Sequence, residues 1–367
     1  MDQPPDQPLS PFAWPAFAAA SATGFAASLT TQLMAATGLV PDDPETPPPG
    51  TTPSRVLLEL ESVRLRSYDE PVPGPCALLC TPFALHSAAI ADLANGHSLV
   101  AALRVFGLAN VCLTDWRSAR RNMTELGIDD YLAALNVLVD KLGAPVDLIG
   151  LCQGGWLSLI YAARFPAKVR RLVLAGAPVD LSASPSRLSA LAQSTPSAVF
   201  RGFVIAGNGR LIGHAMQRFW RVNAPDLQAI HGHLQSNLPI DSEDFADLAT
   251  IYRRWDSWTL NLPGRYYLEV VERLYKCNDL AEGRFVALGE LIDLARLAAP
   301  LYLLAGGDDD VVASSQLFAL EHLVGVAPVE TALAACGHLG LFMGASTLAN
   351  EWHTITRWLQ TPQPSDR

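Results

Sequence analysis

The chemistry of this chain centres on Gly150-Leu151-Cys152-Gln153-Gly154-Gly155. The cysteine has a glycine two residues to either side. It follows the apolar run Val146-Asp147-Leu148-Ile149 and precedes a helical stretch. That is the pattern of a nucleophile elbow, with cysteine where serine is more usual. A tight strand-to-helix turn holds the nucleophile in a strained, presented conformation, and the glycines remove Cβ atoms that would collide there. The helix points its leading N–H groups and positive dipole end at the sulfur, which favours thiolate, the reactive form. The N–H of Gln153 then lies where it can bind the oxyanion formed on attack.

A thiol nucleophile of this kind needs a base, and the base needs an orienting acid. The run LYLLAG (301–306) leads into Gly307-Asp308-Asp309-Asp310, three carboxylates at the end of an expected strand. Asp309 fits best with the register of Val311-Val312, and Asp308 and Asp310 are the alternates. His338 stands among small residues in Cys336-Gly337-His338-Leu339-Gly340, after the last expected strand. The order nucleophile, acid, histidine is that of the α/β-hydrolase fold. In that arrangement His338 takes the thiol proton and later protonates the leaving group or activates the next nucleophile. Asp309 fixes the tautomer of the ring. The loop after an early strand supplies the second oxyanion N–H in this fold, so Phe83 or Ala84 in Pro82-Phe83-Ala84-Leu85-His86 is the expected donor. His86 reads as a structural loop residue.

The elements that must position these residues can be read from periodicity. VLLEL (56–60) and VRLRSY (63–68) are expected opening strands. CALLC (76–80), NVCLT (110–114), VDLIG (146–150) and RLVLAG (171–176) are short apolar runs of the kind buried in parallel sheets. Helical spacing marks 88–106, 128–142 and 154–164 between them. The alternation lapses over 181–295, which has many Trp, Tyr, Phe and Pro residues. It resumes with APLYLLAG (299–306), a helix at 314–323, PVETAL (328–333) and a final helix at 346–359. The expected architecture is therefore an α/β fold with a mostly parallel sheet covered on both faces. Residues 55–180 and 296–367 form the core, 181–295 an inserted helical cap, and 1–54 an N-terminal helical segment with a Pro-rich linker.

Composition bounds the partners. A formal net charge of -10 is repelled by phosphate backbones, so nucleic-acid binding is not expected. The apolar stretch 12–40 lacks the basic flank of an export signal, since the first Lys or Arg is Arg55. Polar residues also interrupt it, so it is a poor membrane span. A cytoplasmic protein is expected, its N-terminal segment packing on its own domain or docking to a partner. The six cysteines have neither CxxC pairs nor metal-ligand spacing. Cys76, Cys80 and Cys112 read as small core hydrophobes.

At the level of motifs the chain resembles the polyhydroxyalkanoate synthases. The stretch 150–181 is similar to their nucleophile region, with its G-x-C-x-G-G box. Trp255, Thr259-Leu260-Asn261-Leu262-Pro263-Gly264, Asn278-Asp279-Leu280 and Leu291-Ile292-Asp293-Leu294 look like further synthase signatures. So does Thr114-Asp115-Trp116 followed by Asp130-Tyr131. Asp309-Asp310, Gln316, Gly337–Gly344 and Thr114–Arg120 also resemble intracellular polyhydroxyalkanoate depolymerases.

The resemblance implies a cysteine-dependent acyltransferase that uses no cofactor. It would take (R)-3-hydroxyacyl groups from a CoA thioester, through a Cys152 thioester, to a polymer chain end. A depolymerase, or a related esterase or thioesterase, is the alternative direction. Homodimer formation or a second subunit through the N-terminal helix, and association with polymer granules, are implied as well. A silent granule-binding scaffold is the reading from another class, and a complete triad weighs against it.

Overall fold

The computed structural model describes residues 47–70, 72–220 and 225–362. The expected N-terminal helical segment lies outside the described residues. Eight strands form one sheet: β1 Arg55–Glu59, β2 Val63–Ser67, β3 Ala77–Cys80, β4 Val111–Trp116, β5 Val146–Leu151, β6 Val169–Ala175, β7 Leu301–Gly306 and β8 Val329–Ala334. Their spatial order is β1-β2-β4-β3-β5-β6-β7-β8. The pairings β1–β2 and β2–β4 are antiparallel, and the other five are parallel.

The core lies on both faces of this sheet. Successive residues of a strand point to opposite sides. Accordingly Leu78 and Leu79, Leu148 and Ile149, Leu174 and Val173, and Leu303 and Leu304 divide between two separate apolar clusters. Every residue of β3, β4, β5 and β7 is buried. This is why these strands read as continuous apolar runs rather than alternating ones.

Helices α1 Leu99–Val105, α2 Ile128–Leu142 and α3 Gln153–Arg164 connect the four consecutive strands β3 to β6. The carboxylate of Asp130 accepts the Gly127 N–H at the start of α2, and Gly143, at φ +79°, ends it. Between β6 and β7 lie α4 Arg187–Ser194, α5 Ser197–Ala206, α6 Gly213–Trp220, α7 Leu227–Leu234, α8 Glu243–Ser257 and α9 Gly264–Glu269. The last continues into a π-helical stretch, Val270–Lys276. Two two-residue ladders, Arg210–Leu211 with Leu262–Pro263 and Val286–Ala287 with Glu290–Leu291, brace the same region. Then come α10 Ser314–Phe318, α11 Leu320–Leu323, α12 Gly340–Met343, α13 Ala345–Ala349 and α14 Glu351–Gln360.

Three expected helices are broken. The 88–106 stretch is a 3-10 turn, a small hairpin (Asp92–Ala94 with His97–Ser98) and then the short α1. Gly96, at φ +77°, reverses the chain, and Ser98 donates to Asp92 while capping the Ala101 N–H. Here side-chain hydrogen bonds outcompete helical ones. The 314–323 helix divides at Ala319, where the next bond tightens to His322 N–H on the Ala319 carbonyl. The final helix divides at Asn350, whose side chain bonds the Ser346 carbonyl.

The motifs at 255–264 and 278 join the inserted region to the core. The Leu260 N–H donates to the Leu85 carbonyl at 2.8 Å, and the Ala119 N–H donates to the Asn261 carbonyl at 2.8 Å. Asn278 holds the entry to the insertion, donating to Asp180 Oδ1 at 2.8 Å and accepting from the Leu181 N–H.

Candidate active site

Cys152 stands alone between β5 and α3, at φ 50° and ψ -119°. For a residue with a Cβ this is a sparsely populated conformation that costs about 1–3 kcal/mol and persists only where the surroundings impose it. They do so through backbone bonds. The Cys152 N–H donates to the Ala175 carbonyl at 2.9 Å, and the Cys152 carbonyl accepts the Gly155 N–H at 2.8 Å.

The neighbouring glycines have specific steric causes. A Cβ on Gly154 would lie 2.1 Å from the Cys80 carbonyl oxygen, and one on Gly155 would lie 2.3 Å from the Ala177 Cβ. A Cβ on Gly150 would lie 2.5 Å from the Gly155 Cα. The first turn of α3 thus rests directly on the end of β3 and on the chain leaving β6. Cys152 itself stays half-buried, whereas Cys76, Cys80, Cys112 and Cys336 are buried and Cys277 is exposed. Burial pushes the Cys80 thiol up to about 12.

The structure brings Cys152, Asp309 and His338 together. His338 Nδ1 lies 2.7 Å from Asp309 Oδ2, with the Asp309 side chain fully buried. The other carboxylate oxygen accepts the N–H groups of Val311 and Val312, each at 2.9 Å. That asymmetry selects Asp309 over its neighbours. Asp310 is exposed, with Arg187 4.0 Å away, and Asp308 is exposed.

The Cys152 side chain lies close enough to the His338 ring to act on its charge. Burial opposes its positive charge, but the Asp309 carboxylate and the Cys152 sulfur outweigh burial and raise its pKa well above the ordinary value. Phe342 meets the ring edge-on at 5.3 Å. Gly176, at φ +54°, makes room for it, since a Cβ there would lie 3.2 Å from His338 Cε1.

The expected oxyanion donors come from both sides of the elbow. Gln153 is the first residue of α3, so its N–H has no acceptor within the helix. Phe83 and Ala84 follow the end of β3. The Phe83 side chain is a core group, its ring 4.5 Å from Tyr131 and 5.1 Å from Tyr266. Its backbone is the part that can serve a site. His86 lies 3.3 Å from the Trp258 carbonyl and against the Trp255 ring.

Sequence reasoning did not single out Tyr266 and Tyr275. Burial raises both phenols, with Cys80, Tyr275 and Cys152 adding to it at Tyr266 and Cys152 adding to it at Tyr275. Tyr275 falls in the π-helical stretch, a feature frequent at functional sites. A sequence signal existed only for position: each lies close to a motif noted for other residues, Pro263-Gly264 and Asn278-Asp279-Leu280.

Comparison with known proteins agrees with the fold. The family profile of the alpha/beta hydrolase fold matches residues 108–345. The chain is 27% identical over 326 residues to the poly(3-hydroxyalkanoate) polymerase subunit PhaC of Haloferax mediterranei, covering 84% of this chain and 64% of that one. It is 28% identical over 328 residues to the protein of the same name from Synechocystis, covering 86% of each. This chain therefore spans less than two thirds of the length of the Haloferax protein. Among solved structures, an epoxide hydrolase variant from Bacillus megaterium superposes with a TM-score of 0.54 at 14% identity, covering 83% of this chain and 99% of that one.

Proposed function

The chain belongs to the alpha/beta hydrolase fold family, and from that premise we propose that it is a cysteine-dependent acyltransferase of polyhydroxyalkanoate metabolism. The observation that carries this reading is the strained Cys152 elbow facing a His338–Asp309 pair, in a chain similar to poly(3-hydroxyalkanoate) polymerase subunits over most of its length.

In this reading the Cys152 sulfur attacks the carbonyl carbon of an (R)-3-hydroxyacyl-CoA while His338 holds the thiol proton. The N–H of Gln153 and that of Phe83 or Ala84 bind the oxyanion. Collapse of the tetrahedral adduct breaks the bond to the CoA sulfur, which leaves with the proton from His338. The acyl group is now a Cys152 thioester. The hydroxyl at a chain end attacks it, His338 takes the hydroxyl proton, and return of that proton to sulfur releases a polymer one unit longer. A thiolate suits this sequence because it exchanges thioesters without strong base assistance. Only transfer to a hydroxyl rather than to water separates polymerisation from hydrolysis, so exclusion of water by the inserted helices sets the outcome.

The depolymerase direction has its own support in the segments Gly337–Gly344 and Thr114–Arg120. Incubation with 3-hydroxybutyryl-CoA separates the readings. CoA release with insoluble product supports the synthase. CoA release with free acid indicates a thioesterase. Absence of CoA release, with acid freed from amorphous polymer, indicates a depolymerase. Labelling by a chloromethyl ketone that disappears in Cys152→Ala separates all of these from a silent scaffold. The reading also includes action in the cytoplasm at polymer granules, with a second copy or a second subunit docking through residues 12–40. Among the described residues no helix is long and apolar enough to cross a membrane.

A further inference from the structure

The loop that carries Phe83 and Ala84 is tied to β4 before it reaches either residue. The Thr81 N–H donates to Thr114 Oγ1 at 3.0 Å, and the Thr81 hydroxyl donates to the Thr114 carbonyl at 2.6 Å. The Trp116 indole N–H donates to the Thr81 carbonyl at 2.8 Å. All three residues are buried. The same Thr81 carbonyl oxygen faces the elbow from its other side, 2.7 Å from where a Cβ on Gly154 would lie. It is therefore held between the indole of β4 and the first turn of α3. The Phe83 ring, two residues on, is packed against Trp116, Tyr131 and Tyr266, with ring centroids 5.9, 4.5 and 5.1 Å away.

We propose that Trp116, assisted by Thr114, is a positioning residue of the oxyanion site: its N–H fixes the Thr81 carbonyl against the elbow and so sets where the Phe83 and Ala84 amides point. The inference rests on the acyl-transfer reading and adds a residue that touches no reacting atom. Its physical basis is tolerance. An oxyanion donor is effective only within about 2.7–3.1 Å of the developing charge, and a supporting shell must hold it to roughly 0.5 Å. The Gln153 donor is carried by α3 and the other donor by the 81–84 loop. The Thr81 carbonyl is the group that touches both carriers.

Trp116→Phe keeps an aromatic ring beside Phe83 and removes the N–H. Thr114→Val removes the acceptor of the Thr81 N–H. Thr356→Val, which deletes the buried bond from Thr356 to the Trp352 carbonyl, is the control for general loss of a buried hydrogen bond. With 3-hydroxybutyryl-CoA, Trp116→Phe is expected to lower kcat about 10- to 100-fold, less than the ~10²–10³ of deleting a donor outright, with KM within about twofold. Affinity for an aldehyde analogue that forms a tetrahedral adduct on Cys152 should fall by the same factor. Alkylation of Cys152 by iodoacetamide, which creates no oxyanion, should stay within about twofold of the wild-type rate.

Unchanged kcat in Trp116→Phe, or alkylation falling as far as turnover, overturns the positioning role. An equal loss in Thr356→Val does the same. Failure of the underlying reading has a different sign, namely turnover that survives Cys152→Ala in an otherwise wild-type chain.

Discussion

His338 presents Nδ1 to the buried Asp309 carboxylate at 2.7 Å, which leaves its other ring nitrogen for the sulfur of Cys152. The second Asp309 oxygen is occupied by two backbone N–H groups, so the carboxylate has no freedom to rotate away. Asp309→Asn would keep this shape and favour the wrong ring tautomer. Turnover of 3-hydroxybutyryl-CoA is expected to drop by roughly 10²–10⁴ with the fold intact by circular dichroism. Asp310→Asn, at an exposed side chain, is expected to leave turnover within about twofold.

The same relationship makes stability depend on pH. The folded imidazole titrates well above its ordinary value of 6.5, so the folded state holds the proton more tightly than the unfolded chain. The stabilisation is therefore fully present below about 6.5 and is lost as pH rises through the raised folded value. His338→Gln removes the titration. The difference in urea midpoint between wild type and His338→Gln should be largest in mildly acidic buffer and shrink as pH rises above neutrality. A difference that grows with pH would contradict the assigned direction.

Steric demand at the elbow predicts a contrast among glycines. Gly154→Ala puts a Cβ 2.1 Å from the Cys80 carbonyl oxygen, and backbone cannot yield there as a flexible side chain would. Destabilisation of about 3 kcal/mol, the upper end of overpacking costs, is expected by urea denaturation, together with loss of turnover. Gly202 sits in α5 with nothing within 4 Å of its Cβ position, so Gly202→Ala should stabilise the protein by about 0.5–1 kcal/mol.

Thiol accessibility separates Cys152 from the other cysteines. Cys76, Cys80, Cys112 and Cys336 are buried, and burial holds Cys80 as the thiol. Brief treatment of the native protein with iodoacetamide, read by peptide mass spectrometry, should label Cys152 and the exposed Cys277 alone. Cys80→Ala should keep turnover within a few-fold and cost about 1–2 kcal/mol as a small core truncation.

Much of this molecule was legible in the chain because its signals are local. The apolar runs at 76–80, 110–114 and 146–150 mark strands buried on both faces, and burial on both faces is a property that composition alone records. The helix at 128–142 showed its period, and its observed bounds are the same. The stretches at 88–106 and 346–359 misled because their breaks depend on side-chain bonds that periodicity does not contain, and 314–323 divides where a backbone bond tightens at Ala319. Asp92 with Ser98 and Asn350 with Ser346 are the two clearest cases.

At the site, residue order and glycine spacing singled out Cys152 and His338, and favoured Asp309 as the acid with Asp308 and Asp310 as alternates. The choice of Asp309 came down to which carboxylate is turned inward onto an imidazole 29 residues away. Tyr266, Tyr275 and the Trp116–Thr81 bond lie further still from any sequence pattern, since they join residues of different elements. Chain order alone determined the sheet class and the residue types at the elbow, because both follow from short-range spacing. Which oxygen faces which nitrogen, and what holds the loop that carries Phe83 and Ala84, were decided only where the elements pack together. Directional bonds of 2.7–3.0 Å depend on positions in space, and spacing along the chain does not encode those.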